Sequence, residues 1–125
     1  MEIQLESPEQ HAIRSYNDTS ITVAGETLSH SCIVCEQGIQ KDWPIQTLAT
    51  LSIKDLEPLV RHAPKIILLG HNSKQQPNPE VISTLSTQRI GLECMSIGAA
   101  CRTFNVLLGE KRAVVLGLIL SAAPQ

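Results

Sequence analysis

Residues 91–108 have the sequence GLECMSIGAACRTFNVLL, and this stretch decides the fold of the chain. Its first half predicts a strand and its second half a helix, with a short glycine turn at Gly98 between them. A helix that begins just past a strand end presents unpaired backbone N–H groups and the positive end of its dipole, which favours an anion. The stretch therefore indicates a place for a ligand without indicating a reaction.

The predicted helix is apolar nearly all round. At 100° per residue, one stripe collects apolar side chains while Arg102 points away, with Asn105 on its flank. Val106 also points outward, so either a second layer of the protein or a partner must cover that side. The residues of the buried stripe are Ala100, Phe104, Leu107 and Leu108, with Cys101 at its edge.

The back half of the chain alternates helices with strands. Asn78 caps a helix with Pro79 at its first position, and Asp55 is favoured over Ser52 as the cap of an earlier helix because Pro58 then falls in the first turn. Such alternation predicts parallel strands joined by right-handed crossovers. The predicted strands are 65–70, 89–95 and 113–120, and the predicted helices are 55–62, 78–87 and 98–108.

The front half predicts an antiparallel hairpin, with a strand at 20–24, a turn at Gly25-Glu26 and a return strand at 27–35 that holds His30 in the core. The expected fold class is α/β, in one domain over residues 16–122 with a mixed, largely parallel sheet and helices on one or both faces. Residues 1–15 are expected to be a partly ordered N-terminal segment.

Composition excludes several classes of function. The net charge of −2 and the scattered Lys and Arg residues argue against nucleic acid as a partner. No apolar run approaches the roughly 20 residues that span a bilayer. The acidic N-terminus does not resemble a secretory signal, so a cytoplasmic location is expected.

The cysteines predict neither a metal site nor a redox motif. Cys32 and Cys35 lie in a predicted strand, where they point to opposite faces, and a zinc site would need a second matched pair. No cofactor is expected. Trp43 is interpreted as a large side chain that fills the edge of the core.

A candidate site follows from the predicted parallel strands. The loops at 71–77 and 96–99 would face each other across one crevice at the carboxyl ends of neighbouring strands, where α/β sheets bind ligands. Three interpretations stay open for these residues: a structural role alone, a partner surface, and a small-molecule site. The candidate binding residues are His71, Asn72, Lys74, Ser96, Gly98, Arg102, Thr103 and Asn105, and no catalytic residue is predicted.

Residues 91–112 resemble the signature of the Mth-type domain family of unknown function, through 91–95, 98–108, Glu110 and Arg112. Looser similarity extends from about Tyr16 to Leu120. The resemblance implies a compact mixed β/α domain and no established catalysis. Its eukaryotic relatives include a mitochondrial assembly factor for respiratory complex I and an adipogenesis-associated protein. His71 and Ile97 depart from the hydroxyl residues that the resemblance leads us to expect there.

Two functional hypotheses follow. The first is a noncatalytic protein-interaction domain, an assembly or chaperone-like factor for a respiratory or other complex, with an unidentified protein partner and scope for homo-oligomers. The alternative is a binder of a small anion or metabolite, or an enzyme, that uses the crevice between loops 71–77 and 96–99.

Overall fold

The structure is a computed structural model and describes residues 8–45 and 47–120. Within these residues a three-stranded antiparallel sheet and a five-stranded mixed sheet pack with helices in one domain. The predicted α/β class with a mixed sheet is therefore confirmed. Positions 1–7 of the expected N-terminal segment, and positions 121 and 122 of the predicted domain, lie outside the described residues.

The three-stranded sheet consists of β1 (Ile13–Tyr16), β2 (Ile21–Val23) and β3 (Glu26–Leu28), in that order, after a 3-10 helix at Pro8–His11. Sequence analysis missed β1, because only its first residue is buried and no alternating pattern marks it. The predicted turn between β2 and β3 lies one position earlier, at Ala24 and Gly25, which have φ of 51° and 80°.

The single return strand predicted at 27–35 is wrong. The chain leaves the small sheet after β3 and enters the large one as β4 (Cys32–Cys35), followed by a missed strand β5 (Gly38–Gln40). Buried Ser31 fixes this crossing, because its hydroxyl donates to the Ile45 carbonyl at 2.9 Å and accepts the Leu120 N–H at 3.0 Å. His30 lies in the connection and is exposed, so the predicted core histidine is also wrong.

The helix predicted from Asp55 to about His62 is shorter and begins differently. A 3-10 helix at Lys54–Leu56 leads into α1 (Glu57–Val60), with Pro58 in its first turn. Asp55 does not cap α1; its carboxylate accepts the Ser52 N–H at 2.9 Å, while the Ser52 hydroxyl accepts the Asp55 N–H at 3.4 Å. The two candidate caps therefore act as a reciprocal pair around the preceding turn.

The back half follows the prediction closely. It consists of β6 (Ile66–His71), α2 (Pro79–Thr87), β7 (Gly91–Ser96), α3 (Ile97–Gly109) and β8 (Val114–Leu118). The sheet order is β5-β4-β8-β6-β7, with β6 parallel to both of its neighbours. Asn78 caps α2 as predicted, because its side chain accepts the Glu80 N–H at 2.9 Å.

The central strands of the large sheet, β4, β8 and β6, are buried on both faces. Alternate residues of its strands pack against α3 and the small sheet on one side, and against α1 and α2 on the other. Cys32 and Cys35 of β4 lie on opposite sides, as predicted. Trp43 is 2% exposed and fills the core edge above Gly117, as predicted, and its ring N–H donates to the Asp55 carbonyl at 3.0 Å.

Helix length bears on membrane insertion. No helix within residues 8–45 and 47–120 is long and apolar enough to cross a bilayer. The longest of them, α3, has 13 residues, and a span needs about 20.

Candidate functional site

The carboxyl ends of β6 and β7 meet as predicted. The two strands are parallel, and their register places His71 opposite Ser96, so the loops that follow them start side by side. The predicted glycine turn is absent, because β7 passes directly into α3 at Ile97. Ser96 caps the helix instead, and its hydroxyl accepts the Ala99 N–H at 3.2 Å.

Gly98 lies in the first turn of α3 and beneath the ring of Tyr16. A Cβ atom at Gly98 would lie 2.8 Å from Cε1 of Tyr16 and 3.1 Å from Nη1 of Arg102. Glycine therefore allows the small sheet to approach the helix closely here.

Arg102 is also committed to Tyr16. Its Nη1 donates to the Tyr16 hydroxyl, and its guanidinium carbon lies 5.8 Å from the centroid of the Tyr16 ring. The two residues are 86 positions apart in the chain, and both are exposed. Arg102 thus forms a surface pair with an aromatic residue that sequence analysis did not include in the site.

Asn105 joins α3 to β1. Its Oδ1 accepts the Ile13 N–H at 2.7 Å, and its Nδ2 donates to the Ile13 carbonyl at 2.9 Å. The side-chain amide therefore pairs with the strand as a neighbouring strand would. Thr103 has an internal partner as well, because its hydroxyl donates to the Met95 sulfur at 3.6 Å.

The loop after β6 contains the remaining candidates. The ring Nδ1 of His71 accepts the Ser73 N–H at 3.0 Å, and partial burial lowers the pKa of this imidazole below its usual value. Asn72 Oδ1 is buried and has no hydrogen-bond partner among the described residues. Lys74 is exposed.

The structure thus divides the predicted site into two groups. His71, Asn72 and Ser96 lie together at the strand ends. Gly98, Arg102 and Asn105 contact the small sheet instead. Sequence analysis did not predict this division, because it missed β1, the strand that carries Ile13 and Tyr16.

Among the described residues, the large apolar side chains that are exposed lie on β1, α2 and α3. Val106 is 58% exposed and lies one turn after Arg102, while Tyr16 beside Arg102 is 40% exposed. We name Tyr16, Arg102 and Val106 the α3 outer surface. Tyr and Arg are residue types that dominate binding energy at protein interfaces.

The thiols of Cys32, Cys94 and Cys101 are poor nucleophiles at neutral pH. Burial raises the pKa of Cys32 and of Cys101 to about 12, and that of Cys94 to about 11. Because the thiolate is the reactive form, these side chains are suited to packing rather than to attack on a substrate.

Comparison with known proteins identifies the family to which the chain belongs. It belongs to the family described as protein of unknown function (DUF498/DUF598), whose model matches residues 13–119. A Bordetella pertussis protein described as a Mth938-like domain has the same fold, with a TM-score of 0.78 and 23% identity over 99% of this chain and 95% of that one. The resemblance to the Mth-type family is therefore confirmed.

Two further relatives are more similar in sequence. A Xanthomonas campestris protein solved by NMR is 31% identical, with a TM-score of 0.83 over 100% of this chain and 96% of that one. The Danio rerio protein named NADH dehydrogenase [ubiquinone] 1 alpha subcomplex assembly factor 3 is 28% identical over 120 residues, which are 94% of this chain and 68% of the relative. The sequence likeness thus reaches a protein named for the assembly of a complex.

Proposed function

We propose that this chain is a noncatalytic protein-interaction domain that acts in the assembly of a protein complex. The exposure of Val106 beside the Tyr16–Arg102 pair is the observation that carries the proposal. An exposed apolar side chain flanked by an aromatic ring and a guanidinium group has the composition of an interface centre.

Three of the candidate binding residues form hydrogen bonds inside the domain, which supports a protein partner over a small-molecule ligand. Arg102, Thr103 and Asn105 each bond to another part of the domain, namely to Tyr16, Met95 and Ile13. These hydrogen bonds fix the side chains of and around the α3 outer surface in one arrangement. A preorganised surface loses less side-chain freedom when a partner binds.

The name of the Danio rerio relative indicates which kind of protein partner to propose. That protein is named an assembly factor of a multi-subunit complex. By extension, we propose that this chain binds an incompletely assembled subunit through the α3 outer surface.

Site-specific cross-linking in the native cells tests the proposal. A photoreactive residue at position 106 should form a cross-link to a defined protein, and one at the exposed apolar position 82 on α2 should not. Equal cross-linking at both positions, or none at 106, would contradict the proposal.

One observation favours the alternative, a small-molecule binder at the ends of β6 and β7. The buried Oδ1 of Asn72 lacks a partner within the described chain. Since a carbonyl oxygen accepts hydrogen bonds, a ligand with an N–H or O–H group would satisfy it, whereas a bare anion would not. A thermal-shift screen of amines, alcohols and anions, repeated with Asn72→Ala, tests this alternative.

A further inference from the structure

Two adjoining depressions lie where α1 and α3 end and β8 begins. Their volumes are about 240 and 150 Å³, and Gln37 and His62 line both of them. This end of the domain was not part of the predicted site. The 13 residues of α3 separate it from Ser96 by about 20 Å.

Basic side chains from two separate elements line the depressions. Arg61 and His62 follow α1, and Lys111 and Arg112 follow α3. Glu36 is the acidic residue in the same lining. The whole chain has a net charge of −2, so the excess of positive charge at this end is local and is opposite in sign to the net charge of the protein.

These cations are not needed to cap the helices. Positive side chains are favoured near helix C-termini, where carbonyl groups lack partners. Here backbone N–H groups already serve those carbonyls: those of residues 110–112 bond to the end of α3, and those of residues 61–63 bond to the end of α1.

The cations are also largely unpaired. Arg112 lies 3.7 Å from Glu110, in a pair whose side chains are both more than half exposed. Among the described residues, Arg61, His62 and Lys111 have no side-chain ion pair or hydrogen bond. They are therefore available to an anion from outside the chain.

The larger depression adds an apolar wall. Ile33 and Pro58 line it next to Arg61 and His62. A ligand that suits both depressions has a charged head for the cations and a short apolar group for this wall. Each volume is smaller than that of a typical drug-sized site, so the ligand is small.

We propose that these depressions form a binding site for a small carboxylate that carries a short aliphatic chain. The carboxylate lies between His62, Lys111 and Arg112, and the chain lies against Ile33 and Pro58. The site is distinct from the α3 outer surface. A test of carboxylate binding therefore does not decide whether the chain binds the proposed protein partner, and the reverse also holds.

Titration of the ¹⁵N-labelled protein with hexanoate, followed by NMR, tests the proposal. Saturable shifts are expected at the backbone amides of Gln37, His62 and Lys111. Acetate lacks the chain and hexanol lacks the charge. Each should therefore bind more weakly than hexanoate, by about tenfold or more.

Variants assign the interaction to the cations. The double variant Lys111→Gly and Arg112→Gln should weaken hexanoate binding by about tenfold or more. Its fold is protected, because Lys111 has φ of 61°, which glycine adopts more readily. Lys54→Gln, at an exposed lysine that does not line either depression, is the matched control and should bind hexanoate as the unmodified protein does.

Three results would overturn the proposal. The first is the absence of saturable shifts at this end of the domain. The second is acetate or hexanol binding as tightly as hexanoate. The third is equal weakening by the double variant and by Lys54→Gln.

Discussion

The amide of Asn105 pairs with both backbone polar groups of Ile13, across 92 positions of the chain. β1 is an edge strand among residues 8–45 and 47–120, and this one side chain bonds to it where a neighbouring strand would. It therefore couples the small N-terminal sheet to α3, the helix that carries the proposed interaction surface.

Asn105→Ala should lower the free energy of unfolding by about 2 kcal/mol, because two hydrogen bonds to partly buried backbone groups are lost. Chemical denaturation measures the loss. Hydrogen exchange should quicken at the Ile13 amide first. Asn78→Ala, which removes the side-chain cap of α2 and no bond to β1, is the control. Unchanged protection of Ile13 would contradict the coupling.

Gly98→Ala should have different effects in two backgrounds. Alanine normally stabilises a helix by about 0.5–1 kcal/mol relative to glycine. In the unmodified protein the new methyl group would press on the Tyr16 ring at 2.8 Å, so the gain should disappear. In a Tyr16→Ala background it should return. A double-mutant cycle measures the coupling, and additive effects would show that the ring does not require the glycine.

Gly117→Ala should destabilise the domain by about 1–3 kcal/mol, because a Cβ atom there would lie within 3.0 Å of the Trp43, Leu59 and Leu69 side chains. Emission from Trp43, the single tryptophan, should shift as the ring is displaced. Gly109→Ala is the matched control, since nothing lies within 4 Å of its Cβ position. Similar stability changes for both variants would contradict close packing above Gly117.

Stability should fall as the pH rises above 9. Burial raises the pKa of Cys32 and Cys101 from 9.0 to about 12, so the unfolded chain loses these thiol protons before the folded chain does. Each thiol should then reduce the free energy of unfolding by about 1.4 kcal/mol per pH unit between these values.

Denaturation across that pH range, compared with the variant Cys32→Ala and Cys101→Ala, measures the contribution. The variant should be less stable at neutral pH because its core has cavities, yet its stability should decline less steeply. An identical decline in both proteins would show that the thiols ionise normally in the folded state.

Local signals account for what the sequence predicted. Asn78 with Pro79 defines the start of α2, and the apolar run at 65–70 marks a strand covered on both faces. Parallel pairing of β6 with β7 follows from the helix between them. These inferences need only neighbouring residues, and they placed His71 beside Ser96 correctly.

Contacts between distant residues account for what it missed. The break in the predicted strand at 27–35 depends on Ser31 bonding to Ile45 and Leu120. The roles of Gly98 and Arg102 depend on Tyr16, in a strand with one buried residue. No periodicity within either segment records such a pairing.

The most direct test of the account is affinity purification from native cells with Val106→Glu and Ile82→Glu. Both positions are exposed apolar residues, 58% and 43% exposed, on different helices. If the α3 outer surface binds the partner, Val106→Glu should abolish recovery of a protein that Ile82→Glu retains, with the fold of both intact by circular dichroism. Retention of that protein by Val106→Glu would contradict the account.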